Sequence, residues 1–253
     1  MGHRVIRLNG QKYSAEEAVV HSDEAILVVN KAVGLPSTPE RQGEGLHLVA
    51  WLEPAYGPLW ICHRLDKGTS GLMVLARTAE AHRAISLQFQ KHTVRKEYLA
   101  LAAGNYNLDG LEVQAPLRAT GKAKTLVDFQ QGKPSLSRVK LEEAFRGFQL
   151  VRVWPVTGRP HQVRVHLLYL KSPVVGDALY DGPDLYLSQV KRNYRTGKHS
   201  EGETALNQGF LLHAIRLLFQ HPTTGQDLVF EQPVPKTFEV CLKMLRKHAP
   251  AGV

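Results

Sequence analysis

The apolar runs of this chain are short, and this feature constrains its fold most. Residues 25–29 form one of the longest, far below the roughly twenty apolar residues that cross a bilayer. Glycine, proline and polar residues separate the runs, so short strands and helices must share a core. Hydrophobic residues make up 43% and charged residues 22% of the 253 positions, a composition typical of an ordinary folded protein. No internal repeat or low-complexity tract is present.

Strands and helices are predicted from the spacing of the apolar residues. Four strands are predicted, at residues 25–29, 72–76, 96–102 and 150–156. Three helices are predicted. The first is about three turns long and is capped by Thr78. The second covers residues 160–170 and buries Val163, Leu167 and Leu170. The third covers residues 238–247 and buries Phe238, Cys241, Leu242 and Leu245. Two polar stretches, 122–138 and 184–208, are predicted to be loops or excursions from a sheet core.

The charge of the chain favours a polyanionic partner. Lys and Arg number 32 against 23 Asp and Glu, which gives a net charge of +9. Nucleic acid is the first candidate for such a partner, although a charge excess alone is often only a solvated surface.

Cysteine and histidine usage argues against a metal or disulfide protein. Two cysteines cannot build a disulfide framework or a thiolate zinc site. The twelve histidines include no His-Glu-x-x-His motif. The N-terminal residues lack the apolar segment of a secretion signal, so a cytoplasmic protein without a metal is predicted.

The segment from His63 to Leu72 is the most unusual in the chain. It is polar, follows no helical or alternating pattern, and lies between apolar stretches, which indicates a specific loop. Its one carboxylate, Asp66, is flanked by Arg64 and Lys67, which favour its ionised form. Such a carboxylate suits a nucleophile or a base, but the tripeptide alone fits equally a turn with a surface ion pair.

This segment resembles the signature of the RluA-type pseudouridine synthases, in which the catalytic aspartate lies in such a loop. Further segments are similar to that family and follow in the same order, so that the resemblance extends over roughly residues 24–235. These segments are 27–35, 96–98, 132–137, 157–166, 173–180, 212–214 and 221–222. The chain departs from the family pattern at three positions, with Ala32 for Pro, Ser137 for Thr, and Pro160 for Thr or Ser.

The resemblance implies a fold and a reaction. The fold is α+β, with a mixed, largely antiparallel bent central sheet and flanking helices and loops. A single catalytic domain at 24–248 would follow an N-terminal extension at 1–23 and precede a tail at 249–253. The reaction is isomerisation of uridine within RNA, in which the base leaves C1′, turns and rejoins through C5. No cofactor is required.

The resemblance also implies roles for individual residues. Asp66 would be the essential carboxylate, acting as a nucleophile on the nucleoside or as a base on the ribose 2′ proton. Arg164 would hold Asp66 ionised and oriented. Tyr98 would stack on the extruded base, and Arg64 would fill the space that this base vacates.

Two further sites of RNA contact are predicted. Backbone N–H groups in the turn at 157–161, together with Arg159, could hold a phosphate, although simple helix capping fits equally. A basic loop near Tyr186 and Tyr194 could contact phosphates or could be only a solvated surface; its charged residues are Lys191, Arg192, Arg195 and Lys198.

An alternative to the enzyme is a non-catalytic RNA-binding or ribosome-assembly protein on the same fold. Asp66, Tyr98 and Arg164 together favour the enzyme, because a pure binder needs no such trio. The substrate could be ribosomal or transfer RNA, chosen through the loops at 115–146 and 184–208. We expect no membrane contact and no obligate protein partner, and we expect a monomer.

Overall fold

The computed structural model describes residues 5–8, 10–39, 45–121, 124–194 and 202–251. Its strands are β1 (Val5–Leu8), β2 (Gln11–Ser14), β3 (Val19–Ser22), β4 (Ile26–Lys31), β5 (Trp60–Ile61), β6 (Ser70–Ala76), β7 (Arg95–Ala103), β8 (Leu111–Val113), β9 (Leu117–Ala119), β10 (Thr125–Val127), β11 (Ser137–Phe145), β12 (Phe148–Pro155), β13 (Leu212–Gln220) and β14 (Asp227–Glu231). Its helices are α1 (Ala15–Ala18), α2 (Leu48–Tyr56), α3 (Ala79–Gln90), α4 (Gln162–Tyr169), α5 (Leu187–Val190) and α6 (Lys236–His248), with one 3₁₀ turn at Ala178–Tyr180. No described helix is long and apolar enough to span a bilayer.

The chain forms two compact units. The first unit comprises Met1–Glu97 and His213–Pro233, and the second comprises Tyr98–Leu212 and Val234–Val253. The boundaries between the units therefore lie inside β7 and β13. A single catalytic domain at 24–248 remains a prediction.

Strand β6 is the centre of the first unit, and all seven of its residues are buried. One edge of β6 pairs antiparallel with β4, which pairs in turn with β3. Two strands share the other edge of β6. Strand β13 pairs in parallel with the first residues of β6, and β5 pairs antiparallel with the last residues of β6. Strand β14 lies antiparallel to β13. The predicted α+β fold with a mixed, largely antiparallel sheet is thereby confirmed.

Gly71 permits the parallel pairing of β6 with β13. Its φ of +115° lies outside the range of most L residues, and a Cβ there would stand 2.3 Å from the carbonyl oxygen of Ala214. No side chain fits between the two backbones at this point.

Helix α3 forms as its sequence predicts. Thr78 is its N-cap, and the Thr78 Oγ1 accepts a hydrogen bond from Ala81 N at 3.1 Å. Ala81 and Ile85 are buried, and Phe89 packs against the same apolar cluster.

The second unit is built around β12, which pairs antiparallel with β11 and with residues 98–103 of β7. Strand β8 extends this sheet beside β11, and β9 and β10 form a separate antiparallel pair. Helix α6 buries the four residues predicted from its spacing, namely Phe238, Cys241, Leu242 and Leu245.

Helix α4 differs from its prediction in two respects. It begins at Gln162 rather than at Pro160, because His161 adopts a left-handed conformation with φ of +53° before the first helical turn. Every residue from 162 to 167 is buried, so the helix is enclosed on all sides there rather than along one stripe.

The two polar stretches predicted as loops contain short elements. Residues 122–138 include β10 and the first two residues of β11, and residues 184–208 include α5. Arg195 and Lys198 lie outside the described residues.

Candidate active site

Asp66 lies in the loop that joins β5 to β6, in the first unit. Its side chain is partly buried, whereas Leu65 and Thr69 on either side are buried. The Thr69 N–H donates to the Asp66 carbonyl oxygen at 3.0 Å, which closes a tight turn around the carboxylate.

The backbone on both sides of Asp66 is held by the segment after β4. The Ser37 hydroxyl donates to the Leu65 carbonyl oxygen at 2.7 Å and accepts from the Leu65 N–H at 3.1 Å. The Gly34 N–H donates to the Lys67 carbonyl oxygen at 2.8 Å. These bonds fix the residue before and the residue after the carboxylate.

Lys31 places a buried ammonium beside this loop. Its Nζ donates to the carbonyl oxygens of Ala32 at 3.0 Å, Leu35 at 2.8 Å and Lys67 at 3.4 Å. Burial lowers the pKa of Lys31 to about 7, and the negative charge of Asp66 opposes that shift. In the sequence, Lys31 belongs to a segment that is similar to the family, but its neighbours do not show that its side chain is buried.

The His63 side chain bonds the edge of β6 just beyond the residues that pair with β5. The Val74 N–H donates to His63 Nε2 at 3.1 Å, and the imidazole stacks on Phe89 with ring centroids 4.4 Å apart. Burial lowers the pKa of His63 to about 3, so the ring is neutral and carries its proton on Nδ1. The side chain thus replaces a strand partner while the backbone turns away toward Asp66.

The far end of the loop is fixed by a second histidine. Ser70 Oγ lies 2.8 Å from Nδ1 of His213, and both residues are buried. Burial lowers the pKa of His213 to about 4, so this imidazole is also neutral near pH 7.

In the second unit, Arg164 is enclosed within helix α4. Its Nε and Nη2 donate to the two carboxylate oxygens of Asp177 at 2.6 and 2.7 Å, and both side chains are almost fully buried. The guanidinium also lies over the rings of Tyr180 and Phe210, 4.7 and 4.4 Å from their centroids. The sequence did not identify Asp177 as a partner of Arg164, and the predicted pairing of Arg164 with Asp66 remains a prediction.

Tyr180 contacts the Arg164 guanidinium and also bonds the first residue of β10. Its hydroxyl accepts from the Thr125 N–H at 2.8 Å and lies 2.7 Å from Nδ1 of His161. Burial raises the pKa of the Tyr180 phenol, so it stays neutral and can both donate and accept.

Tyr98 is partly buried on β7, opposite Val153 in the strand register. It packs at the margin of the apolar cluster that contains Ala100 and Val163. Part of its side chain therefore remains accessible, which the predicted stacking role requires.

The turn before α4 is closed by the side chain of Gln162. Its Oε1 accepts from the Arg159 N–H at 3.0 Å and from the Thr157 hydroxyl at 2.7 Å. This arrangement favours the capping interpretation of the turn, because the Arg159 N–H is already used. The Arg159 Nε donates to the Pro134 carbonyl oxygen at 3.1 Å.

The remaining predicted RNA contacts lie on the surface. Arg64, Lys191 and Arg192 are exposed. Across the described ranges, no group of three or more His, Cys, Asp or Glu residues is arranged to hold a metal ion. The structure thus gathers Lys31, Ser37 and His63 around the Asp66 loop in one unit, and Asp177 and Tyr180 around Arg164 in the other.

Comparison with known proteins identifies the family. A family model described as RNA pseudouridylate synthase matches residues 25–169. The chain is 34% identical over 241 residues to ribosomal large subunit pseudouridine synthase D of Vibrio vulnificus (strain CMCP6), covering 91% of this chain and 71% of that protein. It is 36% identical over 249 residues to ribosomal large subunit pseudouridine synthase C of Salmonella typhi, covering 94% of this chain and 73% of that protein.

A solved structure shows the same fold. Human RNA pseudouridylate synthase domain containing 4 superposes with a TM-score of 0.68 at 24% identity, covering 92% of this chain and 94% of that one. The family match spans more than half of the chain, and the relatives exceed 30% identity over most of their length. The chain therefore belongs to the RNA pseudouridylate synthase family.

Proposed function

We propose that this enzyme, which isomerises uridine in RNA to pseudouridine, acts on the RNA of the large ribosomal subunit. The similarity to synthases whose names specify that subunit carries this proposal. The net charge of +9 supports a long, highly charged substrate. In this proposal the enzyme acts in the cytoplasm as a monomer and needs no cofactor.

Asp66 is the group that starts the reaction in this proposal. It acts as a nucleophile on the nucleoside or as a general base on the ribose 2′ proton. The bond between N1 and C1′ breaks, the uracil turns, and C5 bonds to C1′. C5 then loses its proton and N1 takes up a proton, so Asp66 is regenerated and the product is an isomer of the substrate. The hydrogen bonds from Ser37 and Gly34 on either side of Asp66 support this role. A carboxylate on a fixed backbone does not have to be ordered again for each reaction.

Arg164 and Tyr98 orient the reacting groups in this proposal. The buried two-point bond to Asp177 uses two of the five guanidinium N–H groups and fixes the plane of Arg164. A fixed guanidinium is suited to aligning a carboxylate or a substrate oxygen. The partly accessible ring of Tyr98 is suited to stacking on the extruded base.

The exposed basic residues hold the RNA backbone in this proposal. Lys191 and Arg192, with Arg195 and Lys198 beyond the described residues, neutralise phosphates. Arg159 contributes a further phosphate contact through its guanidinium rather than through its backbone. Arg64, exposed two residues before the carboxylate, fills the space that the turned base leaves.

The proposed substrate is tested by mapping pseudouridines in RNA from cells with and without the gene. We expect at least one pseudouridine to disappear from large-subunit ribosomal RNA and to return when the parent gene is restored. A gene encoding Asp66→Asn should not restore it. Loss confined to transfer RNA would contradict the proposed substrate while leaving the reaction intact.

A further inference from the structure

Two aromatic side chains stand exposed side by side on the second unit. Phe129 follows β10 and is 67% exposed, and Tyr169 ends α4 and is 50% exposed. Their ring centroids lie 6.4 Å apart with planes inclined by 56°. Exposed rings contribute little to the free energy of folding, because only apolar surface that is removed from water stabilises the folded state.

The turn that carries Phe129 is rigid. Asp128 Oδ1 accepts from the N–H groups of Gln130 and Gln131, each at 2.9 Å, and the Gly132 N–H donates to the Asp128 carbonyl oxygen at 2.9 Å. The other carboxylate oxygen of Asp128 pairs with Arg118. The backbone at Phe129 is therefore already ordered, which lowers the conformational entropy lost on binding.

Two basic side chains belong to the same region of the second unit as the aromatic pair. Arg118 pairs with Asp128 next to Phe129, and its side chain is 43% exposed. Lys171, two residues beyond Tyr169, is exposed and has its Nζ 5.8 Å from the ring centroid of Tyr106, a third exposed aromatic. Aromatic rings interleaved with cations are the pattern that binds single-stranded nucleic acid.

The aromatic pair is also connected to the site at Arg164. Arg164 and Tyr169 lie on the same helix, five residues and about 7.5 Å of helix rise apart. Strand β10 contacts that helix, with Thr125 bonded to Tyr180 at one end and Phe129 following the other. The aromatic pair is therefore carried by the same elements that surround Arg164.

We propose that Phe129 and Tyr169 form a stacking site for unpaired bases of the RNA substrate, outside the pocket of the reacting uridine. The inference rests on RNA being the substrate, but not on which RNA. The net charge of +9 and the neighbouring Arg118 and Lys171 favour RNA over a protein partner as the occupant.

The test measures binding of a labelled oligouridylate of about 15 nucleotides, and of an A·U duplex of the same length, across a salt series. Phe129→Ala and Tyr169→Ala should each weaken binding of the single strand by about 5- to 150-fold. Phe129→Leu should weaken it similarly, because an aliphatic side chain cannot stack. Tyr169→Phe keeps the ring and should bind within about twofold of the parent.

Three readouts separate stacking from other causes. The slope of log affinity against log salt should not change, because no phosphate contact is lost. Duplex binding should not change, because paired bases are already stacked. Leu87→Ala removes an exposed apolar side chain from α3 in the first unit and should bind RNA as the parent does.

Several results would overturn the proposal. These are parent-like affinity of the Ala variants, equal loss for duplex RNA, or failure of the parent to bind the single strand at low salt. Self-association of the parent that either Ala variant abolishes would assign the rings to a protein contact instead. The assay contains no chemical step, so its outcome is independent of the pseudouridine mapping.

Discussion

At the scale of single residues, the backbone on both sides of Asp66 is held by β4 and the segment that follows it. Ser37 bonds both backbone groups of Leu65, and Gly34 and Lys31 bond the carbonyl oxygen of Lys67. A displacement of about 1 Å in an active site can reduce the rate by about a hundredfold. The hydroxyl of Ser37 should therefore matter to turnover as well as to stability.

Ser37→Ala should lower kcat by about tenfold or more and leave KM nearly unchanged, because the carboxylate loses its fixed position while the RNA contacts remain. Ser135→Ala is the matched control. Ser135 is also buried and donates to a backbone carbonyl at 2.7 Å, but far along the chain from Asp66. Both variants should lose about 1 kcal/mol of stability in urea unfolding. Equal kcat values for the two variants would show that Ser37 does not position Asp66.

Asp177→Asn should destabilise the protein by about 3–5 kcal/mol, because it leaves the buried charge of Arg164 without its partner. Glu142→Gln is the control, since it breaks a more exposed pair with Arg152 and should cost less than about 1 kcal/mol. Urea unfolding of both variants at neutral pH measures the difference. A loss for Asp177→Asn no larger than the control would mean that the pair does not hold Arg164 in place.

At the scale of elements, the sequence predicts best where apolar residues repeat over many positions. The four predicted strands and the helices α3 and α6 all occur. The helices show apolar residues at helical spacing, whereas residues 25–29 and 72–76 are continuous apolar runs that become the buried strands β4 and β6. The hairpin of β1 and β2 was not predicted, since four-residue strands give too few repeats to detect. The start of α4 depends on the left-handed conformation of His161, which no periodicity reports.

The loop around Asp66 shows which contacts cannot be predicted from the sequence. The motif around Asp66 can be read directly, because its residues are adjacent in the chain. The bond between Ser37 and Leu65 spans 28 positions, and the interval between Lys31 and Lys67 is 36. Asp177 meets Arg164 only because the 3₁₀ turn packs against α4. Such partners follow from tertiary packing and are absent from local patterns.

Gly71→Ala should prevent the parallel pairing of β6 and β13, because its Cβ would lie 2.3 Å from the Ala214 oxygen. Gly57→Ala is the matched control. Its φ of +78° imposes a similar backbone strain, but no atom lies within 4 Å of the added Cβ. We expect about 1 kcal/mol of destabilisation for Gly57→Ala and several times that for Gly71→Ala. Equal unfolding free energies would contradict the close approach of the two strands.

At the scale of the whole molecule, buried neutral histidines make stability depend on pH. The pKa of His213 is lowered to about 4 and that of His63 to about 3, so below pH 6.5 the unfolded chain binds more protons than the folded one. The free energy of unfolding should therefore fall as the pH drops from 6.5 to 4, with about 3 kcal/mol from His213. Asp23, whose pKa is lowered to about 2, adds a loss only below its ordinary pKa of 3.8.

Urea unfolding between about pH 7 and pH 4 measures this dependence. His213→Gln removes one titrating imidazole and should flatten the curve, whatever its effect on stability at neutral pH. An equally steep curve for the variant would mean that His213 does not contribute to the pH dependence.

The central claim is that Asp66 carries the isomerisation. It is tested most directly by release of tritium from C5 of uridine in RNA, because C5 loses its hydrogen when the base rejoins through that carbon. Asp66→Asn should reduce release to background while RNA affinity and the unfolding midpoint stay near those of the parent. Asp227→Asn, an exposed change on β14 in the same unit, should release tritium as the parent does. Near-parent release by Asp66→Asn would contradict the claim.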